Sequence, residues 1–497
     1  MRVLFCNWID YRDPENRGGG VSVYQRNLID TLVSHGGVET AFLSAGTAHD
    51  LFNRRPHVVQ IEGGPSPRHA LVNSGVVAPA HSDFGGAAQL DHAPTEAAFA
   101  DFVDRSGPWD VIHFNNLEGL PANVLSLRRR WPQTRFVVSL HNYYPFCPQV
   151  NLWHDERETC DDFQGGARCE TCLPTRTEPR VIRWAYAMAW RLSRLGLGPG
   201  TAFYNGVFRP VLGVGWRAMR RVLRLRHALR RDASGREAQS GAPTAAASIP
   251  RPGDAFARRR ARMVALINDH CDAVLCVSDR VRQIALHHGI RPAHLRTLYI
   301  GTREAEAWHR TQPREAFLKP DGTLHLAYLG YMRRDKGFHF LMRALAALPP
   351  PVARRIHLTV AARRGDADAM AALAALRPRL AAVTHVDGYD HDMLDTLLAD
   401  VDLAAVPVIW EDNLPQVAIE MHARHIPLLT SDRGGAQELG RCPDLVFGAD
   451  DAASFHRVLT RILDGTLTPS YYWRNAMAPT SLPDHVNALL DIYRETT

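Results

Sequence analysis

Residues 403–420 read LAAVPVIWEDNLPQVAIE. An apolar strand ends near Val408, a polar loop follows, and a helix begins near Leu414. Strand, short loop and helix in that order make the repeating unit of a parallel sheet covered on both faces. Open sheets of this kind bind ligands at the carboxyl ends of their strands, which puts Trp410–Pro415 at a binding edge. Backbone N–H groups around Asn413 and Leu414, just ahead of Pro415, can cradle phosphate or sugar oxygens. Asp412 in the loop and Glu420 two turns later bring two carboxylates to one cleft, suited to the hydroxyls of a sugar and a ribose. Helix capping accounts for Asp412 equally well. It leaves Glu420 unexplained on an otherwise apolar helix face.

The same grammar extends in both directions. Leu324–Leu329, Ile356–Ala361, Val383–Val386 and Pro427–Thr430 read as further strands, with helices over Lys336–Leu348 and Asp392–Leu398. Towards the amino terminus, Arg2–Trp8, Val38–Ser44, Asp110–Phe114, Arg135–Leu140, Asp272–Ser278 and Leu295–Ile300 alternate with helical stretches. A chain of 497 residues accommodates two such units. The expected fold is α/β: two doubly wound, Rossmann-like domains facing a cleft, at 1–305 and 306–480. An amphipathic helix within 481–497 can pack back on the first.

Residues 174–265 break the pattern. Arg183–Leu195 and Trp216–Arg231 read as basic amphipathic helices and Ser234–Pro252 as a linker, so a basic helical insertion is expected. Between Pro174 and Arg262 stand 19 arginines and four acids, a local charge of +15 against +6 for the whole chain. The remainder therefore carries −9, and the basicity asks for a partner of its own. Trp184, Trp190 and Trp216 among apolar residues suit helices lying on an anionic membrane surface, with residues 180–260 as the contact. Nucleic acid is the competing anion. The aromatics are interleaved with Leu and Val at helical spacing instead of forming a stacking platform, so no nucleic acid is expected.

Composition agrees with folded domains: 45% hydrophobic, 22% charged, mean hydropathy −0.22. Disorder, collagen and coiled coil are excluded, and no apolar run is long enough to span a membrane. The start, MRVLFCNWIDYRD, lacks the apolar core of a secretory signal, and the eight cysteines then suggest a reducing, cytoplasmic setting. Cys147, Cys160, Cys169 and Cys172 are spaced Cys-x12-Cys-x8-Cys-x2-Cys. Four thiolates closing on a Cys-x2-Cys pair suit a structural zinc, with unlinked loop thiols as the alternative.

Two more loops follow strands. Gly18-Gly19-Gly20 lets backbone N–H groups approach an anion or sugar, and equally makes a plain tight turn. Gly330–Gly337 reads GYMRRDKG; Arg333, Arg334 and Lys336, which is one of two lysines with Lys319, suit a diphosphate.

Taken in order, GGG at 18–20, DVIHFNNLEGLP at 110–121, SLHNYYPFCP at 139–148, DAVLCVS at 272–278, YIG at 299–301, GYMRRDKG at 330–337, WEDNLPQVAIE at 410–420 and GGAQEL at 434–439 resemble glycosyltransferase family four, of GT-B architecture. The resemblance implies retaining sugar transfer from a nucleotide-sugar donor, with no catalytic metal. The acceptor it implies is a glycan or lipid-linked molecule in bacterial surface polysaccharide synthesis, at the inner face of the cell membrane. His141 then faces the donor sugar, Gly19 and Gly20 form the donor loop, and Lys336 with an arginine takes the diphosphate. Glu420 is the second glutamate of the family's E-x7-E motif and meets the ribose. Two positions depart: Asp412 holds the first glutamate's place, and Tyr331 stands where the family has arginine, so Arg333 or Arg334 must substitute. A GT-B sugar synthase or phosphorylase with a soluble acceptor is the alternative, though it does not require the basic insertion. An Arg-rich nucleic-acid-binding protein with a zinc module is a distant one and leaves the second domain idle.

Overall fold

The structure, a computed structural model, describes residues 1–173, 178–213 and 253–495. The first half supplies β1 (Arg2–Asn7), β2 (Glu39–Ala45), β3 (His57–Ile61), β4 (Arg68–Val72), β5 (Val111–Phe114) and β6 (Arg135–Leu140). After a small ladder of β7 (Trp153–His154) and β8 (Glu158–Thr159) come β9 (Ala273–Cys276) and β10 (Leu295–Thr297). They form one sheet in the order β10-β9-β6-β5-β1-β2-β4-β3, parallel except for the edge strand β3. The second half supplies β11 (Leu324–Leu329), β12 (Ile356–Ala361), β13 (Ala382–Val386), β14 (Leu403–Val406), β15 (Leu428–Ser431) and β16 (Val446–Phe447). Their order is β13-β12-β11-β14-β15-β16, all parallel.

Central strands such as β9 and β11 are buried along their whole length, which is why they read as unbroken apolar runs. The edge pair escapes that reading. β3 is half-exposed, and β4 opens on Arg68, whose guanidinium pairs with Asp10 at 3.0 Å. The sequence pattern therefore shows neither strand.

Helix Leu482–Arg494 crosses back to the first sheet. Val486, Leu489, Leu490 and Tyr493 complete a cluster with Val3 and Phe5 of β1 and with Tyr24 and Leu28 of helix Gly19–His35. The two chain crossings between domains run side by side: Thr302 N donates to Thr480 O at 3.0 Å, and Thr302 bridges Ser481.

The insertion needs correcting at its carboxyl end. Residues 254–265 belong to helix Asp254–His270, which buries Met263, Leu266 and Ile267 and leads into β9. Arg259 in that helix is only 2% exposed: Nε donates to Gln89 Oε1 at 2.6 Å and Nη2 to Tyr144 O at 3.0 Å. Its charge faces the protein, not a partner. Helix Pro179–Arg194 also has an inner face. Arg183 donates to Gly75 O, Tyr186 to Ala78 O, and Trp190 packs on Ala48, Ala70 and Val72. Trp184 points the other way and is 49% exposed, so the two tryptophans do not share one surface. Trp216, the expected helix Trp216–Arg231 and the linker Ser234–Pro252 lie outside the described residues. Among the described residues no helix is long and apolar enough to cross a membrane.

Candidate donor site in the interdomain cleft

The carboxyl ends of both sheets open on a cleft of about 540 Å³. Gly19, Gly20 and His141 line it from the first domain, and Lys336, Asp412 to Pro415 and Glu420 from the second. Most of the residues expected at the site are thus brought together. Arg333 and Arg334 are not. The loop after β11 turns Tyr331 into the cleft, buries Met332 and swings Arg333 onto Asp335, 3.0 Å away.

The second-domain wall is built from ion pairs. Lys336 Nζ meets Asp412 Oδ2 at 2.5 Å and lies 5.2 Å from the Trp410 ring. Gly337 holds that lysine loop against the end of β14. Its φ is +73°, and a Cβ there would fall 1.6 Å from Pro407 O, so only glycine fits. Glu420 Oε2 accepts from Tyr389 OH at 3.2 Å, while His391 Nδ1 stands 3.7 Å from Oε1. Burial raises the Glu420 carboxyl above its ordinary range. Glu411, adjacent to the motif position, turns away from the cleft. It takes Arg280 of the first domain at 2.5 Å, Arg433 at 3.1 Å and the Gly434 N–H at 3.1 Å. Burial pushes its carboxyl up, but these partners bring it below its usual range. Glu411 joins the domains and leaves the cleft to Asp412.

Apart from Glu15, which pairs with Arg17 at 3.5 Å, the first-domain wall is uncharged. His141, following β6, is partly open to the cleft and otherwise enclosed; burial, with His485 nearby, lowers its pKa to about 3. Its Nε2 lies 3.2 Å from Asn115 Oδ1, a carbonyl-type acceptor, so that nitrogen carries the proton. The Tyr24 ring packs 5.1 Å from the imidazole, and Tyr24 OH meets His485 Nε2 at 2.9 Å. His485 Nδ1 meets the Tyr299 carbonyl at 2.8 Å, which makes Tyr24 the donor to Nε2. The motif reading had no means of finding Tyr24 or His485, which lie at opposite ends of the chain.

Several contacts cross the cleft. Gln416, first residue of helix Gln416–His422, donates to Gly20 O at 2.8 Å. Asn413 donates to Leu140 O at 3.3 Å, and its own carbonyl accepts from Ser278 at 2.8 Å. Glu438 receives the N–H groups of Asp279 and Arg280 at 2.8 and 2.7 Å, at the start of helix Asp279–His287. That is the favourable end for a carboxylate.

The four cysteines lie in one neighbourhood without forming a ligand set. Among the described residues no three His, Cys, Asp or Glu side chains gather closely enough to hold a metal ion. Cys172 Sγ is engaged by Gln149 Oε1 at 3.0 Å and the Asp155 N–H, while Cys160 turns to the Asp162 carbonyl. Burial pushes the thiols of Cys169 and Cys172 up to about 12 and 11. As placed, the residues do not fit a zinc.

Residues 323–465, which span the whole six-stranded sheet, match the family model for Glycosyl transferases group 1. Over the full chain the structure resembles sucrose-phosphate synthase from Thermosynechococcus elongatus, with TM-score 0.53, 15% identity, and 99% of this chain and 98% of that one covered. The fold is GT-B. Anabaena Alr3699/HepE in complex with UDP gives TM-score 0.54 at 12% identity, covering 99% of each chain. The alpha,alpha-trehalose-phosphate synthase (UDP-forming) from Burkholderia vietnamiensis gives 0.51 at 12% identity, covering 99% of this GT-B chain and 98% of its own. No curated protein sequence matches it.

Proposed function

We propose that this chain is a glycosyltransferase that moves a sugar from a nucleotide-sugar donor to a lipid-linked glycan, with retention at the anomeric carbon and without a catalytic metal. One observation carries the reading: Lys336, Asp412 and Glu420 share a cleft with Gly19, Gly20 and a neutral His141 on the facing wall. Lys336 takes the diphosphate, Glu420 the ribose and Asp412 a donor hydroxyl. His141 and the glycine loop approach the transferred sugar from the other side. A screen of UDP-, GDP- and ADP-sugars tests this. A donor held at about a hundred times its Kd stabilises the folded chain by about 2.7 kcal/mol and raises the unfolding temperature. No rise with any of them removes the donor site.

The lipid-linked acceptor draws on the surface of residues 178–213. On the outer side of helix Pro179–Arg194 and in the residues after it, Trp184, Leu195, Phe203, Val207 and Val211 are exposed, as are Arg180, Arg194 and Arg209, and Arg191 lies over exposed Phe52. Apolar residues among arginines suit the inner, anionic face of a bacterial membrane, where surface polysaccharide is assembled. Each basic residue near such a surface contributes about 1 kcal/mol. Co-sedimentation with vesicles of graded anionic content should rise with that content and weaken in salt; indifference to anionic vesicles at low salt ends the membrane role. The second reading is a soluble sugar-phosphate acceptor. It draws on the neighbours named as sucrose-phosphate and trehalose-phosphate synthases, and product formation from a soluble sugar phosphate alone decides for it.

A further inference from the structure

We infer that Arg363 reads the nucleobase of the donor and that the base it selects is guanine; this rests on the proposal that the cleft is a nucleotide-sugar site. β13, β12 and β11 are neighbours in the second sheet, and their carboxyl ends lead into Gly388-Tyr389, Ala362-Arg363 and Gly330-Tyr331. All six residues line the cleft. Arg363 is exposed there, and among the described residues its guanidinium has no ion-pair or hydrogen-bond partner. The other basic side chains on the second-domain side of the lining are engaged: Lys336 with Asp412 at 2.5 Å, His391 with Glu304 at 3.2 Å. The arginine stem rests on Gly388. A Cβ at that residue would come within 3.4 Å of Arg363 Cγ, and its φ of +83° reserves the position for glycine.

Position along the sheet separates the two ends of the ligand. Lys336 follows β11, and Asp412 and the start of helix Gln416–His422 follow β14; those two strands are adjacent. β12 lies on the far side of β11, one strand spacing of about 4.8 Å further from β14. A diphosphate at Lys336 with its ribose at Glu420 and Tyr389 therefore extends its base over the ends of β12 and β13. Tyr331, 54% exposed, offers a stacking face, but every base has such a face and stacking does not choose among them. The choice falls to Arg363. A guanidinium has only donors, set in a fork. Guanine presents two adjacent acceptors, O6 and N7, that match the fork. Adenine places an amino donor beside N7 and each uracil carbonyl stands next to a donor N–H, while the adjacent acceptors of cytosine, N3 and O2, lie on the edge beside its glycosidic bond and not on the edge away from the ribose that carries guanine O6 and N7. The donor is accordingly a guanosine diphosphate sugar.

Calorimetric titration of the full chain with GDP, UDP, ADP and inorganic pyrophosphate tests this, in the wild type and in Arg363→Ala. Because Arg363 is exposed and unpartnered, the variant should unfold at the wild-type temperature. GDP should bind the wild type most tightly, and Arg363→Ala should weaken GDP by about ten- to a hundredfold while leaving UDP, ADP and pyrophosphate unchanged. Tighter UDP than GDP, or GDP affinity equal in the two proteins, overturns the base assignment and leaves the donor site standing. An equal loss for all four ligands makes Arg363 a phosphate contact and also overturns it. Absence of binding by every nucleotide removes the donor site itself, and this inference with it.

Discussion

The two walls of the cleft are made of different chemistry. The second domain presents paired charges, Lys336 on Asp412 and Glu420 under Tyr389 and His391. The first domain presents a neutral network of His141, Tyr24, Asn115 and His485, continued below by His113 between Ser139 and Tyr493. Charge placed on one wall grips a charged donor, while neutral groups on the other can approach a sugar without competing for its diphosphate. The difference teaches where binding and turnover should separate.

Acidification strikes the neutral wall hardest. His113 and His141 are lowered to about 3 and His485 to about 4, each by burial, against an ordinary value near 6.5. The unfolded chain takes up these protons first. Their contribution is fully present above about pH 6.5 and is lost as pH falls below it, by up to about 1.4 kcal/mol per pH unit for each histidine. Urea midpoints between pH 7 and pH 5 should fall steeply. A flat profile breaks the comparison at its neutral side.

Next in size are the charges. Lys336→Ala and Glu420→Ala should each weaken nucleotide binding by about ten- to a hundredfold, roughly 1.5–3 kcal/mol, with the fold intact. Unchanged nucleotide affinity in either variant takes that residue out of the donor grip. His141→Ala should lower kcat about tenfold with donor KM little altered, the pattern of a contact made mainly in the transition state. If donor KM rises in step instead, both walls bind and the division fails.

The smallest contrast lies within the basic segment. Arg259→Ala strands the Gln89 and Tyr144 oxygens and should cost about 1–3 kcal/mol in chemical unfolding. Arg191→Ala, on the outer helix, should stay within about 0.5 kcal/mol. Equal costs would mean that the two helices are packed alike.

What was legible follows the same division. Continuous apolar runs announced the central strands because parallel strands are buried on both faces, and Lys336 and Asp412 lie in short loops after such strands, with Glu420 on the helix that follows, where spacing carries information. The neutral wall draws on residues 24, 113, 141 and 485, which only the folded topology assembles. Arg259 shows the limit of composition: the same guanidinium is a solvated charge or a buried hydrogen-bond donor depending on which carbonyls surround it. Arg333 and Arg334 were misplaced because spacing fixes a loop's residues and not the direction each one takes.

Helix Leu482–Arg494 sets an order of assembly during synthesis. Leu489, Leu490 and Tyr493 fill the core beside β1, so the first sheet to leave the ribosome stays uncapped on that face while the whole second domain is translated. The later domain has its strands complete by Phe447 and can close first. The sheet translated earlier is finished by a helix translated later.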